Sequence, residues 1–464
     1  MTQRIHFVGI KGAGMSALAQ IAGKMARAVI TGSDTEQVYF TDKLLQREGI
    51  EVRPFAPANV DEADIVVHSP AYGAEHPEIR RARTLGLPVY SYPEFLGRLM
   101  AEKNGICIAG THGKTTTTAM IGKIMLDARL DPCLLVGSEV PCLSGNALVG
   151  AGDYFVIEAC EYRRHFLNYA PLFLVITNIE LDHPDYFHNI EDVTAAFAEF
   201  AGALPAAGGL IIWDEEPRRL DMRTPATVTT FGFGAGADVR AVNAEFSGGG
   251  SRCDVHVDGR PAGRLDLPLP GRHNILNALA AAALTMRLGV PPEQALAALT
   301  GFNGTKRRFE TLGRRNGALV VDDYAHHPTE IRATLNAARL SYPRRRIRAV
   351  FQPHTYSRTR RLLPDFALSF SEADEVVLAE IFPSARESRE EQQLSSRRLA
   401  ELIADSGVRA RYFPTLAEIT AYLCRTLRSD DLVLTLGAGD VYRVAEDLLP
   451  AAGEPAAKAV SENR

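Results

Sequence analysis

The sequence lacks any Cys-x-x-Cys pair, and its six cysteines are scattered at positions 107, 133, 142, 160, 253 and 424. Cysteine-based zinc sites and disulfide scaffolds need cysteines at short, regular spacings, so neither class fits this chain. Several of the cysteines lie in apolar stretches. We therefore expect buried free thiols in a reducing compartment.

Long apolar runs are also missing, so no segment is long enough to cross a bilayer. The first residues enter a strand-like run at once, without the pattern of a signal peptide. The net charge of −5 is not that of a dedicated nucleic-acid binder. These absences predict a cytoplasmic protein that neither inserts into membranes nor binds nucleic acid.

The chain of 464 residues is too long for a single core, and its 46% hydrophobic and 23% charged residues are typical of globular proteins. Short β-rich runs alternate with helical stretches in three blocks, which predicts an α/β fold with parallel sheets. We place the domains at 1–103, 104–308 and 309–450, followed by a disordered tail at 451–464. An antiparallel addition is expected from Val239 to Leu267.

A phosphate-binding loop is the strongest motif, Cys107-Ile-Ala-Gly-Thr-His-Gly-Lys-Thr-Thr-Thr-Thr118, between a strand-like run and a helical pattern. Gly110 and Gly113 let backbone N–H groups turn toward phosphate, and Lys114 adds a positive charge. The usual longer motif has glycine where this chain has Ile108. The alternative is a Gly/Thr-rich turn with an exposed lysine, but the flanking strand and helix favour nucleoside triphosphate binding.

A second glycine loop follows the first strand, in Gly9-Ile-Lys-Gly-Ala-Gly-Met-Ser-Ala17. Asp34 lies 20 residues beyond Gly14, where a ribose-binding carboxylate falls in dinucleotide folds. This pattern indicates a diphosphate at a helix N-terminus and does not separate NAD from a UDP-sugar. Close packing of strand on helix is the structural alternative.

Polar side chains follow two strands of the second block. Glu158 and Glu161 come after one strand, and Asn178, Asp182 and His183 after the next. Ligands of open α/β sheets bind beyond the carboxyl ends of the strands, so these groups should face Lys114 and Thr115. Oxygen donors of this kind suit Mg²⁺, although each residue alone is equally a capping group.

Further motifs lie before and inside the third block. Gly271-Arg-His-Asn-Ile-Leu-Asn277 precedes an Ala-rich helix, where Asn274 either caps the helix or reads an adenine edge. Arg308 lies at the boundary, where it could reach a γ-phosphate on domain closure. The histidines of Asp322-Asp-Tyr-Ala-His-His-Pro328 suit helix capping and substrate contact better than a transition metal.

Together these motifs resemble the Mur ligases: Gly9-Ile-x-Gly-x-Gly-Met-Ser16, Gly110-Thr-His-Gly-Lys-Thr115, Thr177-Asn-Ile-x-x-Asp-His183, Gly271-x-His-Asn-x-x-Asn277, Asp322-Asp-Tyr-Ala-His-His-Pro328 and Phe351-Gln-Pro-His354. The resemblance runs from Ile5 to about Leu449. It implies a Rossmann-like UDP-binding domain, a central P-loop ATPase-like domain and a C-terminal Rossmann-like open-sheet domain. The implied partners are UDP-N-acetylmuramate, L-alanine and ATP, with Mg²⁺.

The resemblance also assigns residues. The implied binding residues for the UDP part of the substrate are Gly12, Gly14, Met15, Ser16, Asp34 and Ser69. Those for ATP are Gly110, Thr111, His112, Gly113, Lys114, Thr115, Thr116, Asn274, Asn277, Arg308 and Asp323. Thr115, Glu158 and His183 are the implied magnesium ligands, and Lys114, Glu158, His183 and Arg308 the implied catalytic groups. The amino-acid side is assigned to Tyr324, His326, His354 and Arg358.

The reaction implied is an ATP-dependent amide bond between the lactyl carboxylate of UDP-N-acetylmuramate and L-alanine, through an acyl phosphate. Several sister ligases hold a second metal with a carbamylated lysine, but this chain has no lysine between Lys123 and Lys306. Cys160 and Thr355 depart from the family pattern, which leaves the role of Glu161 and the alanine carboxylate clamp open. The alternatives are a recycling ligase that adds a preformed tripeptide and an oxidoreductase built on the N-terminal loop.

Overall fold

The computed structural model describes residues 2–143, 145–383, 387 and 394–449. The predicted disordered tail at 451–464 lies outside the described residues. Within the described part of the chain, no helix has both the length and the apolarity needed to cross a bilayer. All the cysteines are free, and Cys107, Cys133 and Cys253 are buried.

The first unit is a parallel sheet in the order β3-β2-β1-β4-β5. Its elements are β1 (Arg4–Val8), α1 (Ala13–Met25), β2 (Val29–Ser33), α2 (Phe40–Arg47), β3 (Glu51–Arg53), β4 (Ile65–His68), α3 (Pro77–Thr84), β5 (Val89–Ser91) and α4 (Tyr92–Met100). The order reverses beside β1, so the glycine loop between β1 and α1 lies at the crevice where such sheets bind ligands.

The second unit is a sheet in the order β15-β14-β13-β12-β11-β10-β6-β9-β7-β8. Its strands are β6 (Asn104–Ala109), β7 (Cys133–Val140), β8 (Gly145–Leu148), β9 (Tyr154–Glu158), β10 (Phe173–Ile176), β11 (Gly209–Trp213), β12 (Thr227–Gly232), β13 (Val239–Ser247), β14 (Gly250–Val257) and β15 (Arg260–Leu267). Its helices are α5 (Lys114–Asp127), α6 (Ile190–Gly202), α7 (Arg272–Arg287) and α8 (Pro292–Thr300). The strands β13, β14 and β15 form the predicted antiparallel addition.

The third unit is a sheet in the order β16-β17-β21-β18-β19-β20, parallel except for the edge strand β16. Its strands are β16 (Glu310–Arg315), β17 (Ala318–Asp323), β18 (Arg346–Phe351), β19 (Glu375–Leu378), β20 (Ala410–Tyr412) and β21 (Asp431–Leu436). Its helices are α9 (Pro328–Ser341), α10 (Tyr356–Arg361), α11 (Leu363–Ala367), α12 (Ser396–Asp405), α13 (Leu416–Thr426) and α14 (Tyr442–Leu448).

Packing joins the first two units more closely than the sequence indicates. One buried apolar cluster runs from Phe7 and Phe95 of the first unit to Phe166 and Phe200 beside the central sheet. Asn146 of β8 is buried and donates its amide to the carbonyl of Ala13, at the start of α1. The first helix therefore rests against the edge of the central sheet, and its glycine loop is fixed relative to the phosphate loop.

The predicted fold class is confirmed, since each unit is an α/β sheet covered by helices. The β-rich sequence runs Ile5–Val8, Tyr154–Ile157 and Leu319–Val321, one from each block, correspond to β1, β9 and β17 and differ from these strands only at their ends. The carboxyl ends of β6, β9 and β10 lie side by side because these strands are parallel neighbours. This arrangement brings the phosphate loop, Glu158 and Thr177 to one edge of the central sheet.

Candidate active site

The phosphate loop between β6 and α5 depends on two glycines. Gly110 and Gly113 have φ angles of +135° and +82°, which side chains rarely adopt. A Cβ on Gly110 would lie 2.0 Å from the Thr177 hydroxyl, and one on Gly113 would lie 2.5 Å from the Asn277 side-chain oxygen. Asn178 accepts a hydrogen bond from the backbone N–H of His112 at 2.9 Å, which fixes the loop against β10.

Lys114 lies at the start of α5, and its mostly buried side chain pairs with the carboxylate of Glu161. Its ammonium is 3.0 Å from a carboxylate oxygen of Glu161, and it also donates to the carbonyls of Gly110 and Thr111. Burial alone would lower the pKa of Lys114, but the Glu161 carboxylate outweighs it and raises the pKa. Lys114 is therefore charged, and Glu161, whose role the sequence left open, is its partner.

Two predicted magnesium ligands meet at the end of β9. The Thr115 hydroxyl donates to a Glu158 carboxylate oxygen at 3.0 Å, and the backbone N–H of Gly137 donates to the other oxygen. Burial raises the pKa of Glu158, against the lowering effect of Gly137, Thr115 and Lys114. A hydroxyl and a carboxylate oxygen this close are hard donors that fit Mg²⁺.

His183, the third predicted ligand, follows β10 with a φ of +56°. Its Nε2 atom lies 3.9 Å from a Glu161 oxygen and 3.9 Å from an Asp182 oxygen. Its ring is 4.8 Å from the Tyr162 ring, measured between centroids. His183 therefore lies beside Glu161, the carboxylate that pairs with Lys114.

A cavity of about 210 Å³ opens beside the phosphate loop, between the central and C-terminal units. It is lined by most of the predicted ATP residues, namely His112, Gly113, Thr116, Asn274, Asn277, Arg308 and Asp323. Asn274 lies inside α7, whose N-terminal cap is Gly271, so the capping alternative for Asn274 is wrong. Its buried amide donates to the carbonyl of Pro270, which holds the side chain in place.

Three residues that the sequence reading missed also line this cavity: Trp213, Phe231 and His273. Trp213 ends β11, at the same sheet edge as the phosphate loop. Its indole nitrogen is buried without a hydrogen-bond partner among the described residues. Burial lowers the pKa of His273 to about 4, so its imidazole is neutral. In the sequence, the position of Trp213 at the end of a β-rich run is the feature that could have indicated a place at this cavity.

Arg308 and Asp323 form the C-terminal wall of the cavity. The Asp323 carboxylate accepts backbone hydrogen bonds from Phe309 at 2.8 Å and Ala325 at 2.7 Å. Burial raises the pKa of Asp323 to about 6, against the lowering effect of Arg308. The Arg308 guanidinium lies 5.0 Å from the Tyr324 ring centroid. Arg308 lines the same cavity as His112 and Gly113 of the phosphate loop.

The four predicted amino-acid residues lie together in the C-terminal unit. The ring centroids of Tyr324 and His326 are 5.4 Å apart, and those of His326 and His354 are 6.2 Å apart. Burial lowers the pKa of His326 to about 3 and that of His354 to about 4. Both imidazoles are therefore neutral. Phe382, which the sequence reading missed, stacks on His354 with centroids 5.8 Å apart.

Arg358 is paired across the boundary between units. Its Nε donates to one Asp182 carboxylate oxygen at 2.9 Å and its Nη2 to the other at 3.3 Å. Both side chains are about 93% buried, at 7% exposure each. Burial alone would raise the pKa of Asp182, but the Arg358 guanidinium outweighs burial and holds the pKa well below its usual range. The Nη1 group faces His354 and is the part of Arg358 closest to the histidine pair.

The N-terminal glycine loop is held by Asp34, whose carboxylate accepts the backbone N–H of Lys11 at 2.7 Å. Gly12 caps α1, and Gly14, Met15 and Ser16 form its first turn. A Cβ on Gly14 would lie 3.1 Å from Tyr92. Ser69, after β4, donates its backbone N–H to Val8, which places it beside the same loop. The predicted UDP residues therefore share one sheet edge.

Family models match all three units. The Mur ligase family catalytic domain matches residues 4–104, the Mur ligase middle domain residues 108–285, and the Mur ligase glutamate ligase domain residues 307–439. The UDP-N-acetylmuramate–L-alanine ligase of Desulfitobacterium hafniense is 57% identical over 97% of this chain and 100% of its own length. The enzyme of the same name from Clostridium novyi is 43% identical over 97% and 98%.

Solved structures agree with this relationship. The UDP-N-acetylmuramate–alanine ligase of Thermotoga maritima superposes with a TM-score of 0.82 and 28% identity, covering 96% of this chain and 98% of that one. A murein peptide ligase from Psychrobacter arcticus gives a TM-score of 0.71 at 24% identity, with the same coverage, which shows the shared fold. From its motifs, its three units and these relatives, the chain belongs to the Mur ligase family.

Proposed function

We propose that this chain is an ATP-dependent ligase that joins L-alanine to the lactyl carboxylate of UDP-N-acetylmuramate, in peptidoglycan precursor synthesis. The observation that carries the proposal is the pairing of Asp182 with Arg358. Asp182 directly precedes His183 near Lys114, whereas Arg358 lies beside His354 in the C-terminal unit. The phosphate loop and the amino-acid residues therefore belong to one site, as transfer of an activated carboxyl group to an amine requires.

The proposed reaction has two steps, phosphoryl transfer beside Lys114 and attack by the amine on the amino-acid side. Lys114 neutralises charge on the γ-phosphoryl group as it moves to the lactyl carboxylate, and Arg308 approaches it from the opposite unit. The resulting acyl phosphate has a good leaving group, so the uncharged amine of L-alanine attacks its carbonyl carbon and phosphate departs. The neutral side chains of His326 and His354 line the amino-acid side without adding positive charge that would repel an ammonium group.

Magnesium belongs to this proposal. Thr115 and Glu158 would supply the oxygen donors, with His183 as a third ligand, and the ion would neutralise negative charge on the nucleotide phosphates. UDP-N-acetylmuramate is assigned to Gly12, Gly14, Met15, Ser16, Asp34 and Ser69. We also propose domain boundaries near residues 103 and 308, a cytoplasmic location, and no nucleic-acid partner.

Two alternatives make different demands on the chain. The recycling ligase shares the UDP-muramate and ATP sites but needs space for a tripeptide. The relatives with 57% and 43% identity over the whole chain are alanine ligases, which favours the smaller substrate. An oxidoreductase built on the N-terminal loop would leave the central cavity and the buried Lys114–Glu161 pair without a purpose.

The experiment that tests the proposal measures phosphate release from ATP with UDP-N-acetylmuramate and a panel of amino acids and peptides. We expect release with L-alanine and formation of the alanyl product by mass spectrometry. Release with the murein tripeptide but none with L-alanine would establish the recycling ligase. Turnover that needs a nicotinamide cofactor and no ATP would establish the oxidoreductase.

A further inference from the structure

A cluster of potential metal ligands that includes neither Thr115 nor Glu158 lies at the phosphate loop. It consists of His112 in the loop, Glu180 after β10 and His327 at the start of α9, whose ligand atoms all lie within 4.8 Å of one another. The Nε2 atom of His112 is 3.7 Å from a Glu180 oxygen, and the Nδ1 atom of His327 is 3.9 Å from the same oxygen. The central and C-terminal units both contribute.

The cluster contains ring nitrogens that the protein does not satisfy. The Nε2 atoms of His112 and His327 are buried without a hydrogen-bond partner in the described part of the chain. The His327 side chain is 93% buried, with 7% exposure. Buried polar atoms normally have partners, so the unpaired His112 Nε2, which faces Glu180 at 3.7 Å, points to a missing ligand. The His327 ring lies 4.7 Å from the His112 ring between centroids and presents its other nitrogen, Nδ1, to the same Glu180 oxygen.

Groups around the cluster orient its members as they would around a metal. Glu330 lies 3.0 Å from the Nδ1 atom of His112, which leaves Nε2 to face Glu180. The Thr329 hydroxyl donates to Glu180 at 2.6 Å. A carboxylate that holds the distal nitrogen of a ligating histidine is the usual second layer of zinc sites.

We propose that His112, Glu180 and His327 bind one transition-metal ion of the zinc class, which ties the phosphate loop to the C-terminal unit. Two imidazoles and one carboxylate suit Zn²⁺ better than Mg²⁺, and a water completes a tetrahedral site. The site is separate from the magnesium ligands of the proposed reaction.

The ligand atoms must move closer together to accept the ion. Tetrahedral bonds of about 2.0–2.1 Å place ligand atoms about 3.4 Å apart, so the two separations of 3.7 and 3.9 Å to Glu180 must shorten by a few tenths of an ångström. All three ligand atoms lie within 4.8 Å of one another, so the two histidine nitrogens approach each other by at most about 1.4 Å. His327 would give up a long 3.3 Å capping bond from the Thr329 N–H. The start of α9 keeps the bonds from the His326 and His327 N–H groups to Glu330.

The ion would have a structural consequence for the enzyme. His112 and Glu180 also line the nucleotide cavity, whereas His327 begins the helix that forms its far wall. A single ion that coordinates all three would tie the central and C-terminal units together beside the cavity, in addition to the Asp182–Arg358 pair. Domain opening would then require the ion to leave or to exchange a ligand.

The test uses Co²⁺ as a spectroscopic probe on the full-length, chelator-treated protein in excess Mg²⁺. Four-coordinate Co²⁺ absorbs visible light much more strongly than octahedral Co²⁺, so the readout is independent of activity. We expect one strongly absorbing equivalent in the wild type, and its loss in His327→Ala and Glu180→Gln. Glu330→Gln, which leaves the ligands intact, should weaken Co²⁺ binding about 10- to 100-fold.

Two matched histidine variants separate this site from others. His183→Ala removes the one histidine of the predicted magnesium site, and His256→Ala removes a histidine of β14. Both should retain the strongly absorbing Co²⁺. The proposal is overturned if the wild type shows no such absorption, if folded His327→Ala keeps it, or if His183→Ala abolishes it. Circular dichroism establishes that each variant is folded.

Discussion

At the scale of single residues, the contacts of Lys114 should change when ATP binds. In the protein alone its ammonium pairs with Glu161 and with loop carbonyls. A bound triphosphate would replace carbonyl contacts with phosphate oxygens, and Glu161 would keep the lysine charged and correctly placed. This arrangement explains how a buried cation is tolerated before ATP arrives, since buried charges need partners.

Lys114→Ala should therefore lower kcat by about 10²- to 10³-fold or more, because it removes charge stabilisation of the transferring phosphoryl group. The measurement is phosphate release with saturating ATP, UDP-N-acetylmuramate and L-alanine. Lys123→Ala is the matched control, since Lys123 lies on the same helix and pairs with Asp127. Equal turnover of Lys114→Ala and the wild type would contradict the assignment.

Glu78 illustrates a buried carboxylate that supports the fold rather than the reaction. Burial alone would raise its pKa, but hydrogen bonds from His6, Ser33, Ala56 and Asn59 outweigh burial and hold the pKa below 4.5. A carboxyl group with a lowered folded-state pKa stabilises the protein above its unfolded pKa. That contribution is lost as the pH falls through the folded-state value.

Glu78→Gln should therefore lower the free energy of unfolding at pH 7 by about 1–3 kcal/mol, since the buried network loses its negative charge and one of the two acceptor oxygens. The difference between variant and wild type should shrink as the pH falls below about 4.5, where Glu78 of the unfolded chain begins to protonate, and it should vanish once the pH passes below the lowered folded-state pKa. Denaturant titrations across this pH range measure both effects. A pH-independent difference would show that the loss is one of packing alone.

At the scale of elements, the phosphate loop needs glycine for two separate reasons at Gly110. Its φ of +135° is strained for any side chain, and a Cβ would lie 2.0 Å from the Thr177 hydroxyl. Thr177 also donates to the carbonyl of His112, so it cannot move without releasing the loop. The shortened motif thus works because β10 supplies contacts that hold the loop.

Gly110→Ala should weaken ATP binding by at least about tenfold and destabilise the protein by about 1–3 kcal/mol, because both the strain and the contact must be relieved. Nucleotide binding by calorimetry and thermal unfolding measure the two effects. Gly73→Ala is the control, since a Cβ there meets nothing within 4 Å. An alanine variant at position 110 that binds ATP normally would show that the loop adapts.

Elements that depend on local patterns could be predicted from the sequence. The strands β1, β4, β18 and β21 have continuous β-rich runs, and the turn-rich segment before α7 indicated the antiparallel strands. Edge strands such as β3 and β20, with three residues each, gave too short a pattern. Local periodicity carries no information on such short elements, whose pairing is decided by neighbouring strands.

Long-range pairings could not be predicted. Arg348 ends the basic run Pro343-Arg-Arg-Arg-Ile-Arg348, whose composition is typical of a solvated turn before a strand. In the structure it is instead fully buried in β18 beside Glu375 and Asp431. The pairing of Asp182 with Arg358 joins residues 176 apart in the chain. Charge alone does not reveal a partner so far along the chain. The sequence therefore placed Arg358 on the amino-acid side and grouped Asp182 with the polar residues expected to face Lys114 and Thr115.

At the scale of the whole molecule, the central and C-terminal units are held together by polar contacts around the active site. Asp182 pairs with Arg358, His112 with Glu330, and Glu180 with Thr329. Each joins a loop after a central strand to a helix of the C-terminal unit. The alignment of the phosphate loop with the predicted amino-acid residues therefore depends on these few polar groups.

The Asp182–Arg358 pair offers the last test. Asp182→Asn leaves Arg358 as a buried charge without a counter-ion, which costs about 3–5 kcal/mol in comparable pairs. We expect a higher KM for L-alanine, a lower kcat and a larger radius of gyration in solution scattering, since the units separate more readily. Arg358→Met should produce similar losses, and the double variant should lose much less than the sum of the two. Strictly additive effects would show that Asp182 and Arg358 act independently, with Arg358 serving the amino acid alone. Coupled effects would instead make Asp182 the residue that aligns Arg358 and the C-terminal unit with the phosphate loop.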